Sequence, residues 1–230
     1  MRANMLDSIN ENDQTITAAE RVYRILRKKI VLSEFVPGKR LARRKLAEMT
    51  GVSQIPVLEA MKRLEQEGLI EYKPRWGCVV ATQTPDKVRD LYALREAIEC
   101  QVVRILAVGI SATRLKELAD MASEIDRIRE SGEAGDQAAE FHNLFHVTMA
   151  EYTGCPSLVE PLKRVNLFWL LYKSIGTARR KVTYTPGWHT KLVNSIRTGN
   201  PEIAEQTMRE HVNGAYQTLM QALVEDGTLD

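Results

Sequence analysis

Four histidines, His142, His146, His189 and His211, are the side chains of this sequence best suited to hold a ligand. His142 and His146 stand four residues apart, so on a helix they share one face with Phe145 and Met149. His189 precedes Leu192, Val193 and Ile196 by three, four and seven residues; His211 follows Met208 by three and precedes Ala215 by four. All four therefore fall on apolar stripes that turn inward. A buried imidazole needs a hydrogen-bond partner, and a satisfied core histidine explains any one of them taken alone. Together, with none on a loop or an outer face, they are explained at once by one metal ion held by imidazoles from three helices. Helical-bundle cores are where such sites are built. Nitrogen-only ligation suits Zn²⁺, Ni²⁺ or Cu²⁺ better than Mg²⁺ or Ca²⁺. The expectation is one divalent transition metal per chain, Zn²⁺ first and Ni²⁺ next. Cys78, Cys100 and Cys155 are scattered without CxxC spacing, which argues against disulfides and thiolate zinc.

The elements that must position these groups follow from caps and breaks. Thr17 and Glu20 have capping-box spacing before Val22, Ile25, Leu26 and Ile30, a first helix stopped near Pro37-Gly38. A short second helix over Arg43–Thr50 turns Leu46 and Met49 inward and stops at Gly51. Ser53 caps a third, with Pro56 in its first turn, Val57, Met61 and Leu64 on one face, and Gly68 ending it. Leu69–Lys73 and Cys78–Ala81 read as strands of a hairpin around Pro-Arg-Trp-Gly, a basic, aromatic tip. Three helices and a hairpin, with helices two and three joined by Gly-Val-Ser, describe a winged helix-turn-helix. After Thr84 (cap) and Pro85 only helical periodicity remains, over about 86–107, 111–131, 136–153, 156–175, 186–198 and 201–225.

The fold class is thus mostly α: an N-terminal winged helix-turn-helix followed by an all-α bundle of six to seven helices. The expected division is a flexible N-terminus over 1–14, the winged helix over 15–81, a linker over 82–86 and the bundle over 87–230. A length of 230 residues agrees with two domains, and 44% hydrophobic with 27% charged residues excludes a disordered or collagen-like chain. Residues 1–80 carry fifteen Lys and Arg against ten Asp and Glu, and residues 81–230 seventeen against twenty. That small asymmetry hints at a polyanion-binding head on a mildly acidic body. No apolar run, including that around Leu167–Tyr172, reaches the ~18 residues of a spanning helix, so no membrane partner is expected. The start, MRANMLDSIN, lacks a signal peptide's apolar core, which points to the cytoplasm.

Residues 35–80, FVPGKRLARRKLAEMTGVSQIPVLEAMKRLEQEGLIEYKPRWGCVV, resemble the winged helix of GntR-type bacterial transcription regulators, matching its Pro-Gly, Leu-Ala, Gly-Val-Ser, Pro-Val, Glu-Ala and Glu-Gly-Leu in order. The resemblance implies a protein of the bacterial cytoplasm and nucleoid that binds double-stranded DNA. A recognition helix lays its N-terminal residues against base edges, here Ser53, Gln54 and Ile55. Arg43, Arg44 and Lys45 open the preceding helix, where they meet phosphate. Arg75, beside Gly77 at the hairpin tip, enters the minor groove or lies along the backbone. Gln54 and Leu58 stand where the family often has arginine; Gln prefers adenine, so the operator should differ from the commonest family site.

Residues 86–225 resemble the FCD (FadR-like) effector domain, through LYALREAIE at 91–99, FHVTMAEYTGCPSL at 145–158 and WHTKLVNSIRTGNPEIAEQTMREH at 188–211. Metal-binding members use an Asp four residues before a His, then two later histidines. His146, His189 and His211 fall on the histidine positions, and His142 replaces the Asp, exchanging an anionic ligand for a neutral one. Arg95, in the family's Leu-Arg-x-x-x-Glu context, lies near the effector pocket, where a guanidinium clamps a carboxylate; an ion pair with Glu99 is the plainer alternative. Trp188 is a pocket or a core aromatic.

The expected function is a ligand-responsive regulator: a homodimer on a palindromic operator, sensing a small carboxylate effector at the metal. The alternatives are a constitutive DNA-binding regulator whose metal is structural, and a metal-dependent hydrolase. The hydrolase lacks an HExxH motif, and its nearest acid to the histidine pair, Glu140, is offset from their face.

Overall fold

The computed structural model describes residues 16–31, 34–82, 84–131, 136–165 and 185–225, with the main chain alone over 136–140 and 222–225. The N-terminal segment 1–14, the apolar run Leu167–Tyr172 and the continuation of a helix to 175 lie outside the described residues. Those up to Thr82 form one compact unit and those from Thr84 a second.

In the first unit Thr17 accepts the Glu20 amide (3.1 Å) and opens α1, Ala18–Val31. Helix α1 buries Val22, Leu26 and Ile30 and ends six residues before Pro37. Pro37-Gly38 follows after residues 32–33, which lie outside the described residues. The Gly38 amide donates to Val80 and the Val80 amide to Lys39 (2.9 Å each), which leads the chain to a bridge between Arg40 and Val79. Helix α2, Arg43–Thr50, turns Leu46 and Ala47 inward, while Met49 is 45% exposed. With 100° per residue, the pair 46–47 sets the buried direction and position 49 falls roughly 110° from it, so Ala47 takes the place expected of Met49. Gly51 closes α2 in the left-handed conformation (φ 68°), where a Cβ is penalised.

Helix α3, Gln54–Gln66, seals this unit with Val57, Ala60, Met61 and Leu64. Strands β1, Ile70–Lys73, and β2, Gly77–Val80, pair antiparallel from Ile70↔Val80 to Lys73↔Gly77; the first ends at Lys73 as expected and the other three ends differ by one residue. Three residues, Pro74, Arg75 and Trp76, make the tip.

The second unit is all helical among the described residues. Thr84 accepts the Lys87 amide to open α4, Pro85–Gly109, and Ser111 accepts the Arg114 amide to open α5, Ala112–Glu130. Helix α6, Asp136–Tyr152, and α7, over 156–165, follow. After the undescribed stretch come α8, Trp188–Arg197, and α9, Pro201–Glu225. Asn200 Oδ1 accepts the amides of Glu202 and Ile203 (2.9 and 3.1 Å) and caps α9. Helix α4 runs along α9, α5 packs on α6 and α8, and α8 on α9. The core between them is filled by Val102, Val103, Leu106, Leu118, Phe145, Met149, Leu192 and Met208. The histidine faces of α6, α8 and α9 all meet in this core.

Candidate functional site

The structure brings the four histidines together: one nitrogen from each of His142, His146, His189 and His211 lies within 4.8 Å of the others, and all four residues are buried. His146 Nε2 stands 3.1 Å from His142 Nε2 and 3.3 Å from His211 Nε2. Two of the rings are held from behind by carboxylates. His146 Nδ1 meets Glu99 Oε2 from α4. His189 Nδ1 donates to Asp126 Oδ1 of α5 at 2.8 Å. A carboxylate only accepts, so each pair fixes the Nδ1–H tautomer and leaves an Nε2 lone pair facing the cluster. Among the described residues His189 Nε2 is buried with no hydrogen-bond partner, which costs about 1–3 kcal/mol unless something takes up that lone pair.

These nitrogens fit a metal ion. Zn–N bonds of ~2.0–2.1 Å put tetrahedral ligand atoms ~3.4 Å apart, matching the 3.1 and 3.3 Å separations. The widest separation, 4.8 Å, exceeds that edge, so at least one ring must move inward to close a tetrahedron. Protonation supports the fit. Burial, with the nearby positive charge of Arg129 and Arg95, drives His142 and His211 well below the ordinary histidine range. Burial also lowers His189, to about 4, although Asp126 opposes it. Neutral imidazoles keep their lone pairs for a cation at neutral pH.

Asp126 and Glu99 are the groups that periodicity passed over. Asp126 Oδ1 also accepts the His189 amide (3.2 Å), and Oδ2 accepts the Thr190 amide and hydroxyl (2.9 and 2.8 Å). Burial alone would raise this carboxyl, but the bonds from His189 and Thr190 hold it at about 2. Glu99 is 1% exposed; burial opposes its charge, yet Arg95 and His146 keep it at about 2. The signal for Asp126 was its place on the stripe Leu118, Ala122, Ile125, where an acid has no business without a partner. Among the described residues it is Glu99, on another helix, whose carboxylate meets the histidine pair; the side chain of Glu140 lies outside the described residues.

Arg95 faces inward as expected, 2% exposed, and its Nε donates to Glu99 Oε1 at 2.5 Å. The ion-pair alternative is therefore present, and Arg95, Glu99 and His146 form one buried chain ending at the cluster. Trp188 is half-buried with its ring 5.9 Å from His211.

In the first unit, Arg43, Arg44 and Lys45 lie exposed on the opening turn of α2. Arg44 pairs with Glu48 (3.0 Å), whereas Arg43 and Lys45 have no ion pair among the described residues. Ser53 occupies the N-cap of α3 but its hydroxyl makes no capping bond, which corrects the expected cap. The hydroxyl, with Gln54 and the 70% exposed Ile55, faces solvent. Arg75 sits at the wing tip with φ 67°, a left-handed conformation costing a non-glycine residue ~1–2 kcal/mol, and Gly77 follows at φ 79°. Arg43, Lys62, Tyr72 and Gly77 border one hollow of about 380 Å³, so α2, α3 and the wing meet on one side of the unit.

The two units are a basic winged helix and, following it in sequence, a helical domain with a buried histidine cluster. Residues 18–80 match the bacterial regulatory proteins of the gntR family, and residues 90–214 match the FCD domain. The chain belongs to the FCD-domain branch of the GntR family and is a DNA-binding transcriptional regulator. It is 25% identical over 206 residues to the HTH-type transcriptional regulator YdhC of Bacillus subtilis (88% of this chain, 91% of that one). It is 24% identical over 207 residues to the HTH-type transcriptional repressor RspR of Escherichia coli (88% and 89%). In fold it is similar to a GntR transcriptional regulator from Rhodococcus sp. RHA1, with TM-score 0.71, 24% identity and coverage of 89% and 98%. Escherichia coli McbR/YncC gives TM-score 0.70 at 19% identity, with coverage of 90% and 98%. No described helix is long and apolar enough to cross a membrane.

Proposed function

We propose that this regulator is ligand-responsive and metal-dependent. It acts as a homodimer on a palindromic operator in the cytoplasm, and a small carboxylate effector is sensed at the histidine cluster. The observation that carries the reading is the orientation of His146 and His189 by Glu99 and Asp126, with the buried His189 Nε2 left without a hydrogen-bond partner among the described residues. His142, His146, His189 and His211 hold one divalent ion, Zn²⁺ by preference and Ni²⁺ next, since four neutral nitrogens are softer than a set containing a carboxylate. When bound, the ion supplies a Lewis-acidic centre for an anionic oxygen.

The charges around it favour an anion. Arg95 and Arg129 cancel Glu99 and Asp126, which leaves the double charge of the ion facing four neutral ligands. Arg95 adds a guanidinium suited to a carboxylate. In the head, Arg43, Arg44 and Lys45 meet phosphate, Ser53, Gln54 and Ile55 read bases, and Arg75 with Gly77 places the wing. The effector changes DNA affinity by its differential affinity for the two head arrangements, typically ~1–3 kcal/mol.

The test measures metal content by mass spectrometry, then DNA binding of wild type, His146→Ala and His189→Ala with and without added carboxylates. Folded variants that still bind DNA but no longer respond to the effector support the sensory reading. Variants that unfold while a conservative His146→Gln retains the response support a structural metal instead.

A further inference from the structure

We infer that Trp76 is a DNA contact: the wing drives its indole as a wedge between base pairs of the minor groove and so bends the operator. The inference deepens the DNA-binding reading of the head and rests on it. Trp76 is 69% exposed at the tip of the β1–β2 hairpin, and Tyr72, on the first strand of the same hairpin, is also 69% exposed. A two-stranded ribbon needs no tryptophan at its turn, and among the described residues the ring is left mostly exposed there.

The tip is held in a committed shape. Pro74 enters it, Arg75 adopts φ 67° and Gly77 φ 79°, and the Trp76 amide closes it on the Lys73 carbonyl at 3.1 Å. Its charge matches a polyanion. Arg75 has no ion pair among the described residues, and neither has Arg40, whose guanidinium Nε lies 3.9 Å from the position a Cβ would take on Gly77. An apolar ring flanked by free guanidinium groups has the pattern of a duplex groove, where bases lie between phosphate rows. A three-residue tip is narrow enough for the minor groove, and apolar wedges inserted there unstack a step and kink DNA by ~20–90°. A protein surface would not require the flanking cations, so duplex DNA is the occupant these residues favour.

The test uses the full chain and the duplex that wild type enriches from a random-sequence pool. Affinity is measured across a salt series, and bending by energy transfer between labelled DNA ends. Trp76→Ala should weaken binding about 5- to 100-fold, as expected for a lost aromatic–base contact, and reduce the bend without changing the salt slope. Trp76→Phe should keep most of both. Arg75→Ala should instead lower the slope by about one phosphate contact.

The inference is overturned if Trp76→Ala binds and bends the duplex within twofold of wild type, or if its loss enters through the salt slope. It is also overturned if the variant changes oligomeric mass at unchanged DNA affinity, which would make Trp76 a protein contact. Failure of wild type to enrich any sequence sinks the DNA-binding reading itself, a result distinct from all of these.

Discussion

Replacing Asp126 by asparagine tests the idea that a carboxylate sets the chemistry of His189. Asp126 accepts four hydrogen bonds: from His189 Nδ1 (2.8 Å) and amide (3.2 Å) on Oδ1, and from the Thr190 amide (2.9 Å) and hydroxyl (2.8 Å) on Oδ2. Asparagine offers one acceptor and one donor in the same shape. With its oxygen toward His189, its NH₂ faces the Thr190 amide and leaves that N–H unpaired. With its oxygen toward Thr190, its NH₂ faces both the His189 amide and Nδ1. Nδ1 must then accept, and the proton moves to Nε2, which removes the lone pair aimed into the cluster. Either arrangement loses the charge assistance and orphans at least one buried N–H, about 2–4 kcal/mol of stability in all. The second also weakens metal binding by about 10- to 100-fold. Urea denaturation of the metal-free variant gives the first quantity, and competition against a chromogenic chelator gives the second. Glu124→Gln, an exposed change on the same helix, is the control and should stay within ~0.5 kcal/mol of wild type. If folded Asp126→Asn binds Zn²⁺ within twofold of wild type, the tautomer argument is wrong. Unchanged stability of the metal-free variant would show that the four bonds are not what holds α8 to α5.

Three further outcomes follow from the same region. Glu99→Gln leaves Arg95, 2% exposed, without its counter-charge and should destabilise the chain by ~3–5 kcal/mol, whereas Arg95→Met with Glu99→Leu should recover most of the loss; a double-mutant cycle in urea that finds the two changes additive refutes this. His189 is lowered from 6.5 to about 4 in the fold, so the unfolded chain binds its proton first and metal-free stability falls as pH drops below ~6.5, by up to about 3 kcal/mol before native His189 itself titrates. Glu99 and Asp126, both held at about 2, add a further loss as pH falls from ~4.5 towards 2; urea midpoints unchanged between pH 8 and pH 5 would contradict the histidine part. Zn²⁺ at 100 times its Kd should stabilise the chain by ~2.7 kcal/mol and a chelator should reverse this, so melting curves indifferent to both would mean that the cluster holds no ion in the native state.

What was legible in the sequence was local. Thr17, Thr84 and Gly51 announce helix ends within three residues of themselves, so their roles could be read without knowing the fold. The histidines were legible for the same reason, since a face is defined by neighbours three, four and seven residues away. Met49 was misplaced because an eight-residue helix is too short for periodicity to choose between two stripes one residue apart. The carboxylates were hidden for a different reason. Asp126 and His189 lie 63 residues apart, and Glu99 and His146 47, so each pairing exists only once α4, α5, α6 and α8 have packed. Within its own helix, Glu99 looked fully explained by Arg95.

The same reasoning explains why two carboxylates belong where they are. Four neutral imidazoles converging in a core present lone pairs to one another, an arrangement that an apolar core would relieve by rotating rings or donating protons between them. Glu99 and Asp126 prevent that relief for His146 and His189 by committing each Nδ1 proton to a charged acceptor on the far side of the ring. Arg95 in turn keeps Glu99 ionised in a place where burial would neutralise it. The chain Arg95–Glu99–His146 is therefore better understood as a device that holds a lone pair in position than as a source of stability, because a buried ion pair recovers little beyond its own desolvation. An inward-facing acid on an otherwise apolar stripe, such as Asp126, is the trace this device leaves in a sequence.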